Sequence, residues 1–220
     1  MKENIILFDL DGTLIDSTDA IVSTFHHSFK VLNFDFKESD EAIKALIGYP
    51  LDIMYESLGV QKEDIFTFVD TYKERYRQIS TAQTFLLEDA VASLEHAKTF
   101  ARLSVVTTKT GSYTLPLLEH MNILHYFEQI TGREHVQNPK PHPEPILRTL
   151  ELMKVDRETA NIWMIGDTKL DLIAANQANI LSVGVLCGYG QESDLVLHTP
   201  YITKNALDAV KLIENLLSLT

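Results

Sequence analysis

Two pairs of carboxylates follow apolar runs of the sequence. Asp9 and Asp11 end the first such run, and Asp167 and Asp171 come directly after a later one. Residues two apart in an extended segment point to the same side, so Asp9 and Asp11 project together. Carboxylates this close repel each other unless a cation or a proton lies between them. The first pair therefore suits a Mg²⁺ site in which one carboxylate attacks a phosphorus atom and the other transfers protons.

Simpler structural roles are open for both pairs. A strand that ends in an Asx turn would also account for Asp9 and Asp11 as solvated groups. Asp167 at the start of a helix is favoured by the helix dipole. Asp171 is less easily explained in this way, because a like charge four residues along the same helical face destabilises the helix unless a cation compensates it.

Two further places carry groups that could hold an anion. Thr107 and Thr108 end another apolar run, and their hydroxyls could donate to phosphate oxygens, although β-branched residues also favour strands for structural reasons alone. Lys140 lies between Pro139 and Pro141, which stiffen its backbone. An ammonium group on such a loop loses little backbone entropy when it binds an anion.

Strands that alternate with helices must position these side chains. We predict five strands, at residues 5–10, 103–107, 162–165, 180–185 and, from a weaker signal, 201–203. Their apolar runs show no polar alternation, which is typical of parallel strands covered on both faces. Apolar residues at helical spacing lie between them. The sequence therefore predicts an α/β fold with a doubly wound, Rossmann-like parallel sheet.

The segment of residues 15–82 breaks this alternation. It carries helical stripes and no convincing strand, so we predict a helical insertion after the first strand, with residues 1–14 and 83–220 forming the core. The stripes are Ile21, Phe25 and Leu32; Ile43, Leu46 and Ile47; and Ile65, Phe66, Val69, Tyr72 and Tyr76.

Composition narrows the range of functions. The chain has 31 acidic and 19 basic residues among 220, a net charge of −12, which disfavours nucleic acid and anionic lipid as partners. Its hydrophobic fraction of 45% excludes global disorder. Cys187 is the only cysteine, which fits a reducing compartment, and no apolar run is long enough to span a bilayer. We expect a cytoplasmic protein, monomeric or homodimeric, without a nucleic-acid or membrane partner.

Taken in order, the motifs resemble those of the haloacid dehalogenase superfamily, and within it the phosphoglycolate phosphatase-like enzymes. The resemblance extends over essentially the whole chain. It is carried by Asp-Leu-Asp-Gly-Thr-Leu-Ile-Asp-Ser at 9–17, the threonine strand, the proline-flanked lysine, and Gly-Asp-Thr-x-x-Asp at 166–171. It implies a Rossmann-like core with the helical insertion as a cap. Gly48 and Tyr49, in the loop of residues 47–51, would lie on the substrate side of that cap.

The resemblance also implies a chemistry for the site. Asp9 would be the nucleophile that forms an aspartyl-phosphate, and Asp11 would protonate the leaving alkoxide and later activate water. The substrate would be a small phosphorylated metabolite, with phosphoglycolate as the expectation at family level. A phosphomutase of the β-phosphoglucomutase-like kind and a non-catalytic phosphate-binding regulator are the alternatives.

The resemblance also implies which residues bind the phosphate and which bind the metal. Thr107, Thr108 and Lys140 would hold the phosphoryl oxygens, with Thr108 replacing a more usual asparagine. Mg²⁺ would be bound by the carboxylates of Asp9 and Asp167 and the backbone carbonyl of Asp11, with Asp171 behind them. The glycine and proline of residues 47–51 predict a rigid lip that favours small esters.

Overall fold

A six-stranded parallel sheet lies at the centre of the computed structural model, which describes residues 2–219. Its strands are β1 (Asn4–Phe8), β4 (Arg102–Val106), β5 (Phe127–Thr131), β6 (Asn161–Gly166), β7 (Leu181–Val185) and β8 (Ile202–Thr203). Their order in the sheet is β5-β4-β1-β6-β7-β8, with every neighbouring pair parallel. The α/β fold with a Rossmann-like parallel sheet is thus confirmed.

Helices cover both faces of this sheet. They are α5 (Ala90–Lys98), α6 (Gly111–His120), α7 (Glu144–Leu152), α8 (Lys169–Gln177), α9 (Glu192–Leu195) and α10 (Ala206–Ser218). Residues of α5 and α10 pack with Ile6 and Phe8 of β1, whereas residues of α7 and α8 pack with Ile5 and Leu7. Alternate residues of β1 are therefore buried on opposite faces, which explains why its sequence is apolar without interruption.

Four helices between β1 and β4 build a second hydrophobic cluster. They are α1 (Thr18–Val31), α2 (Asp40–Lys44), α3 (Leu51–Ser57) and α4 (Ile65–Ile79). The cluster is rich in aromatic rings, with the centroids of Phe25 and Tyr55 4.6 Å apart. The chain enters and leaves these helices through a short antiparallel pair, β2 (Ile15–Asp16) and β3 (Phe85–Leu86). No helix within residues 2–219 is long and apolar enough to cross a membrane.

Several details differ from the sequence predictions. We predicted that Phe66 lies on the buried stripe of α4, but its side chain is 80% exposed. Phe68 is buried in α4 instead. The segment predicted to lack strands contains β2 at its start. Strand β5 and helix α6 were not predicted. Strand β5 is the edge strand of the sheet and mostly half-exposed, so it lacks the apolar run of a central strand.

Candidate active site

The two carboxylate motifs meet where the direction of the strand order reverses. The chain passes from β1 outward to β4 and β5, then returns to the other side of β1 at β6. Open α/β sheets bind ligands at the carboxyl ends of the strands on either side of such a switch point. Asp9 follows β1 and Asp167 follows β6, and the backbone N–H of Asp9 donates to the carbonyl of Ile165 at 2.9 Å.

Asp9 is buried among other charged groups. Its Oδ1 atom lies 2.8 Å from Lys140 Nζ. Burial, and then the charge of Asp171, raise the pKa of Asp9 to about 7, although Lys140 opposes this shift. Its environment therefore makes the ionised form less favourable than in a free aspartate, and a further positive charge nearby would oppose this effect.

Asp167 is held from two sides. Thr13 Oγ1 donates to its Oδ1 at 3.1 Å, and the backbone N–H of Tyr189 donates to its Oδ2 at 2.8 Å. Burial, followed by the charges of Asp9 and Asp171, raises its pKa well above the usual range. Gly12, at φ +80°, faces this carboxylate so closely that a side chain there would collide with it. The glycine thus permits both the turn after β1 and the approach of that turn to Asp167.

Asp171 serves a helix end and a buried cation together. Its Oδ2 atom accepts from the backbone N–H of Thr168 at 3.1 Å and from the Thr168 hydroxyl at 2.8 Å. Its Oδ1 atom contacts Lys140 Nζ, which also donates to the carbonyl of Val106 at 3.0 Å. Lys140 is therefore the cation that compensates the charge of Asp171, four residues after Asp167. Burial alone would lower the pKa of Lys140. The charges of Asp171 and Asp9 raise the pKa by more than burial lowers it, so the group stays charged.

Asp11 has a different set of partners. Its carboxylate does not join the group formed by Asp9, Asp167 and Asp171. Its Oδ1 atom accepts from Ser17 Oγ and lies 3.0 Å from the Nζ atom of Lys109. The sequence analysis did not assign a role to Lys109, although its place two residues after Thr107, beyond the end of a strand, was a usable signal.

The threonines after β4 border the same space. Thr107 is buried, and its hydroxyl accepts from the backbone N–H of Lys109 at 3.1 Å. The buried Thr108 Oγ1 has no hydrogen-bond partner among residues 2–219, which leaves that hydroxyl available to an anion.

A cavity of about 360 Å³ opens between the sheet edge and the inserted helices. Its wall on the side of the sheet includes Asp9, Asp11, Thr107 and Thr108. Its wall on the side of the inserted helices includes Gly48 and Tyr49. Lys140, Asp167 and Asp171 are not in its wall and lie beneath it. Aromatic side chains of Tyr72, Tyr76 and Tyr113 complete the wall. The cavity is within the range of small-molecule sites.

The donor set suits a divalent cation. One carboxylate oxygen from each of Asp9, Asp167 and Asp171 lies within 4.8 Å of the others, and all three residues are buried. Among residues 2–219, the ion pair with Lys140 is the only polar contact of Asp9 Oδ1. Together with Asp11, four carboxylates face the two ammonium groups of Lys140 and Lys109, an excess of two negative charges if all are ionised. Carboxylate oxygens in this balance suit a divalent cation that prefers oxygen ligands.

Comparisons with known proteins agree with this architecture. The phosphoglycolate phosphatase of Aquifex aeolicus is 30% identical over 216 residues, covering 96% of this chain and 97% of that protein. The pyrophosphatase PpaX of Oceanobacillus iheyensis is 29% identical over 216 residues, covering 97% and 98%. A haloacid dehalogenase-like hydrolase structure from Streptococcus pneumoniae superposes with a TM-score of 0.85 at 27% identity, covering 96% of this chain and 98% of that chain.

The family assignment rests on most of the chain's length. The model of the haloacid dehalogenase-like hydrolases matches residues 6–185, a range that contains every motif discussed above. The same range includes part of β1, all of β4, β5, β6 and β7, and the four helices α1 to α4. This protein therefore belongs to the haloacid dehalogenase-like hydrolase family.

Proposed function

We propose that this protein is a Mg²⁺-dependent phosphatase that hydrolyses a small organic phosphate monoester through an aspartyl-phosphate on Asp9. The observation that carries the proposal is the buried Asp9 carboxylate, 2.8 Å from Lys140 Nζ and at the floor of a cavity. A nucleophile there meets phosphorus in a region from which the inserted helices exclude most water.

Phosphate binding is assigned to groups around Asp9. Thr107 and Thr108 would donate their hydroxyls to phosphoryl oxygens, and the unpartnered Thr108 Oγ1 supports this role. Lys140 would contribute its positive charge to the phosphoryl group while it compensates the repulsion between Asp9 and Asp171. These contacts would stabilise the negative charge that spreads over the phosphoryl oxygens in the transition state.

Asp9 and Asp11 would have different roles in the reaction, with Asp9 as the nucleophile and Asp11 as the general acid and base. In the first step an Asp9 oxygen forms a bond to phosphorus, the ester P–O bond breaks, and Asp11 gives a proton to the leaving alkoxide. In the second step Asp11 takes a proton from water as the water oxygen bonds to phosphorus. The bond between Asp9 and phosphorus then breaks, which releases phosphate and restores the Asp9 carboxylate and the protonated Asp11.

The metal would be held by the carboxylates of Asp9 and Asp167 and the backbone carbonyl of Asp11, with Asp171 orienting Lys140 behind them. When bound there, Mg²⁺ supplies the positive charge that lets a phosphate dianion approach several carboxylates. Thr13 and the backbone of Tyr189 orient Asp167, a role normally filled by the groups that surround metal ligands.

Residues 15–82 would act as a cap over the core formed by residues 1–14 and 83–220. We assign the protein to the cytoplasm, as a monomer or homodimer. The named relatives act on phosphoglycolate and on pyrophosphate, so the substrate class is a small phosphorylated compound and phosphoglycolate is its first candidate.

A phosphate-release screen tests this function. The panel comprises phosphoglycolate, glycerol phosphates, hexose phosphates, nucleotides and inorganic pyrophosphate, each with Mg²⁺ and with EDTA. We expect Mg²⁺-dependent release that is fastest for a short ester. Interconversion of hexose phosphates without phosphate release would establish a phosphomutase instead. Phosphate binding without turnover of any compound would establish a regulator.

A further inference from the structure

Lys109 is a buried cation to which the proposed reaction assigns no step. Its side chain is 8% exposed, and its Nζ atom lies 3.0 Å from Asp11 Oδ1. The same ammonium group donates to the hydroxyl of Tyr76 at 2.8 Å and lies 4.6 Å from the centroid of the Tyr76 ring. Its three contacts therefore involve one carboxylate and one aromatic side chain.

These contacts connect two parts of the molecule. Lys109 follows β4 of the sheet, whereas Tyr76 lies on α4 of the insertion and is 1% exposed. Asp11 follows β1, the strand next to β4. The ammonium group thus links the carboxylate assigned to proton transfer with α4, and Ser17, just before α1, makes a second link.

The hydrogen-bonding pattern restricts Asp11 to one orientation. Ser17 Oγ and Lys109 Nζ both contact Oδ1. Two donors on one oxygen limit rotation of the carboxylate, and so they fix where the oxygen that exchanges a proton with a ligand can lie. A general acid is effective only within hydrogen-bond reach of the oxygen it protonates, so this restriction affects the rate.

We propose that Lys109 is a positioning residue that orients Asp11 for proton transfer, and that Tyr76 makes this orientation depend on the seating of α4 over the site. The inference rests on the proposed phosphatase function and assigns a further task to the same site. Lys109 acts through Asp11 and does not itself exchange a proton in the reaction.

The leaving group distinguishes positioning from other roles. An alkoxide needs a proton as the ester bond breaks, whereas p-nitrophenolate spreads its charge over the ring and leaves without one. Loss of a correctly placed acid should therefore slow cleavage of alkyl esters far more than cleavage of p-nitrophenyl phosphate. A lysine that only attracted the phosphate dianion, or only stabilised the fold, would affect both esters equally.

The experiment compares kcat/KM for two esters in the Mg²⁺-loaded protein. The esters are p-nitrophenyl phosphate and phosphoglycolate, or whichever alkyl ester the parent cleaves best. For Lys109→Met we expect a loss of about 10²-fold on the alkyl ester, near the lower end of general-acid effects, and less than about 5-fold on the aryl ester. Tyr76→Phe keeps the ring and should reduce the alkyl-to-aryl ratio by about 5-fold, the effect of one hydrogen bond.

A second readout follows the base step. If Asp11 is misplaced in Lys109→Met, water attack on the phosphoenzyme slows, and a burst of p-nitrophenolate should precede the steady state. Lys109→Arg retains the charge and should recover part of the alkyl-to-aryl ratio.

Tyr55→Phe is the matched control for loss of a buried hydroxyl. Tyr55 belongs to the same aromatic cluster as Tyr76, but its hydroxyl pairs with Ser28 Oγ at 2.7 Å and has no contact with Lys109. We expect this variant to keep the parent's ratio even if its stability falls.

Equal losses on the two esters in Lys109→Met would overturn the inference. If Lys109→Met fails to fold, the alkyl-to-aryl ratio of kcat/KM in Tyr76→Phe tests the inference instead. A ratio equal to the parent's would reject the positioning role. A parent protein that cleaves no ester refutes the proposed function and with it this inference.

Discussion

Lys140 Nζ lies 2.8 Å from Asp9 Oδ1 and also forms an ion pair with Asp171, so one buried ammonium group serves two carboxylates from different strand ends. Asp9 follows β1, Asp171 lies in α8, and Lys140 comes from the loop before α7. The cation therefore joins the nucleophile proposed here to the helix that begins after Asp167. Several measurable consequences come from this arrangement and from the charges around it.

Asp9→Asn should abolish turnover and leave the fold intact. The amide cannot accept the phosphoryl group, so we expect activity to fall by more than about 10⁴-fold, as for the removal of other catalytic nucleophiles. Asp11→Asn should lose about 10²- to 10⁴-fold on alkyl esters, because only proton transfer is removed. Phosphate release and circular dichroism check both variants. A folded Asp9→Asn protein with the parent's activity would contradict covalent catalysis.

Removal of the metal should eliminate activity. EDTA treatment is expected to stop phosphate release, and Mg²⁺ to restore it. Because the metal binds only the folded protein, Mg²⁺ at 100 times its Kd should add about 2.7 kcal/mol to the free energy of unfolding. Thermal denaturation with and without Mg²⁺ measures this, with Asp167→Asn as the variant that should respond weakly. Full activity in a verified metal-free sample would reject the proposed ligands.

Two lysines provide a matched pair. Lys140→Ala leaves buried carboxylates without their cation and should lower the free energy of unfolding by about 3–5 kcal/mol and remove most turnover. Lys169 forms an ion pair with Asp194 at 2.9 Å, but its side chain is 42% exposed. Lys169→Ala should therefore change stability by no more than about 1 kcal/mol. Urea denaturation and phosphate release test both variants, and similar losses in the two would contradict the distinction.

The metal-free protein should become less stable as the pH rises. Burial and Asp171 raise the pKa of Asp9 from its ordinary 3.8 to about 7 in the folded state. Between these pH values the folded protein keeps a proton that the unfolded chain has lost, so unfolding releases it. The free energy of unfolding should then fall by up to about 1.4 kcal/mol per pH unit for one proton.

Denaturation of the EDTA-treated protein at pH 5, 6, 7 and 8 measures this slope. The shift at Asp167 has the same sign and should steepen it. Asp9→Asn removes one titrating group, so its profile should be flatter than the parent's. Greater stability of the metal-free parent at pH 8 than at pH 5 would contradict the prediction.

Gly48→Leu should damage catalysis beyond its cost in stability. Gly48 has φ +107°, and a Cβ atom there would lie 3.2 Å from Thr168 Cγ2. Thr168 in turn donates a hydrogen bond to Asp171. Gly59, at φ +92°, would place its Cβ 3.9 Å from Phe34, so Gly59→Leu carries similar backbone strain away from the site. We expect kcat/KM to fall by about 10-fold or more only in Gly48→Leu. Equal losses of kcat/KM in the two variants would contradict the assignment of Gly48 to the substrate side of the cap.

Local sequence patterns were enough to predict most of the core. Apolar runs at residues 5–10 and 162–165 predicted strands β1 and β6, because a strand buried on both faces leaves no room for polar alternation. Strand β5 gave no such signal, since an edge strand buries less of each side chain. Helical spacing predicted α4 but not its orientation: Phe66 and Phe68 are both aromatic, and packing alone decided which is buried.

The candidate site divides in the same way. The sequence by itself determined that Asp9, Asp11, Asp167 and Asp171 follow apolar strands, because the pleat and the strand end are local properties of the chain. Only the tertiary structure decided that Lys140 pairs with Asp9 and Asp171 and that Lys109 joins Asp11 to Tyr76. Those contacts connect segments far apart in the chain, and their distances depend on strand order and helix packing, which no local pattern of residues specifies.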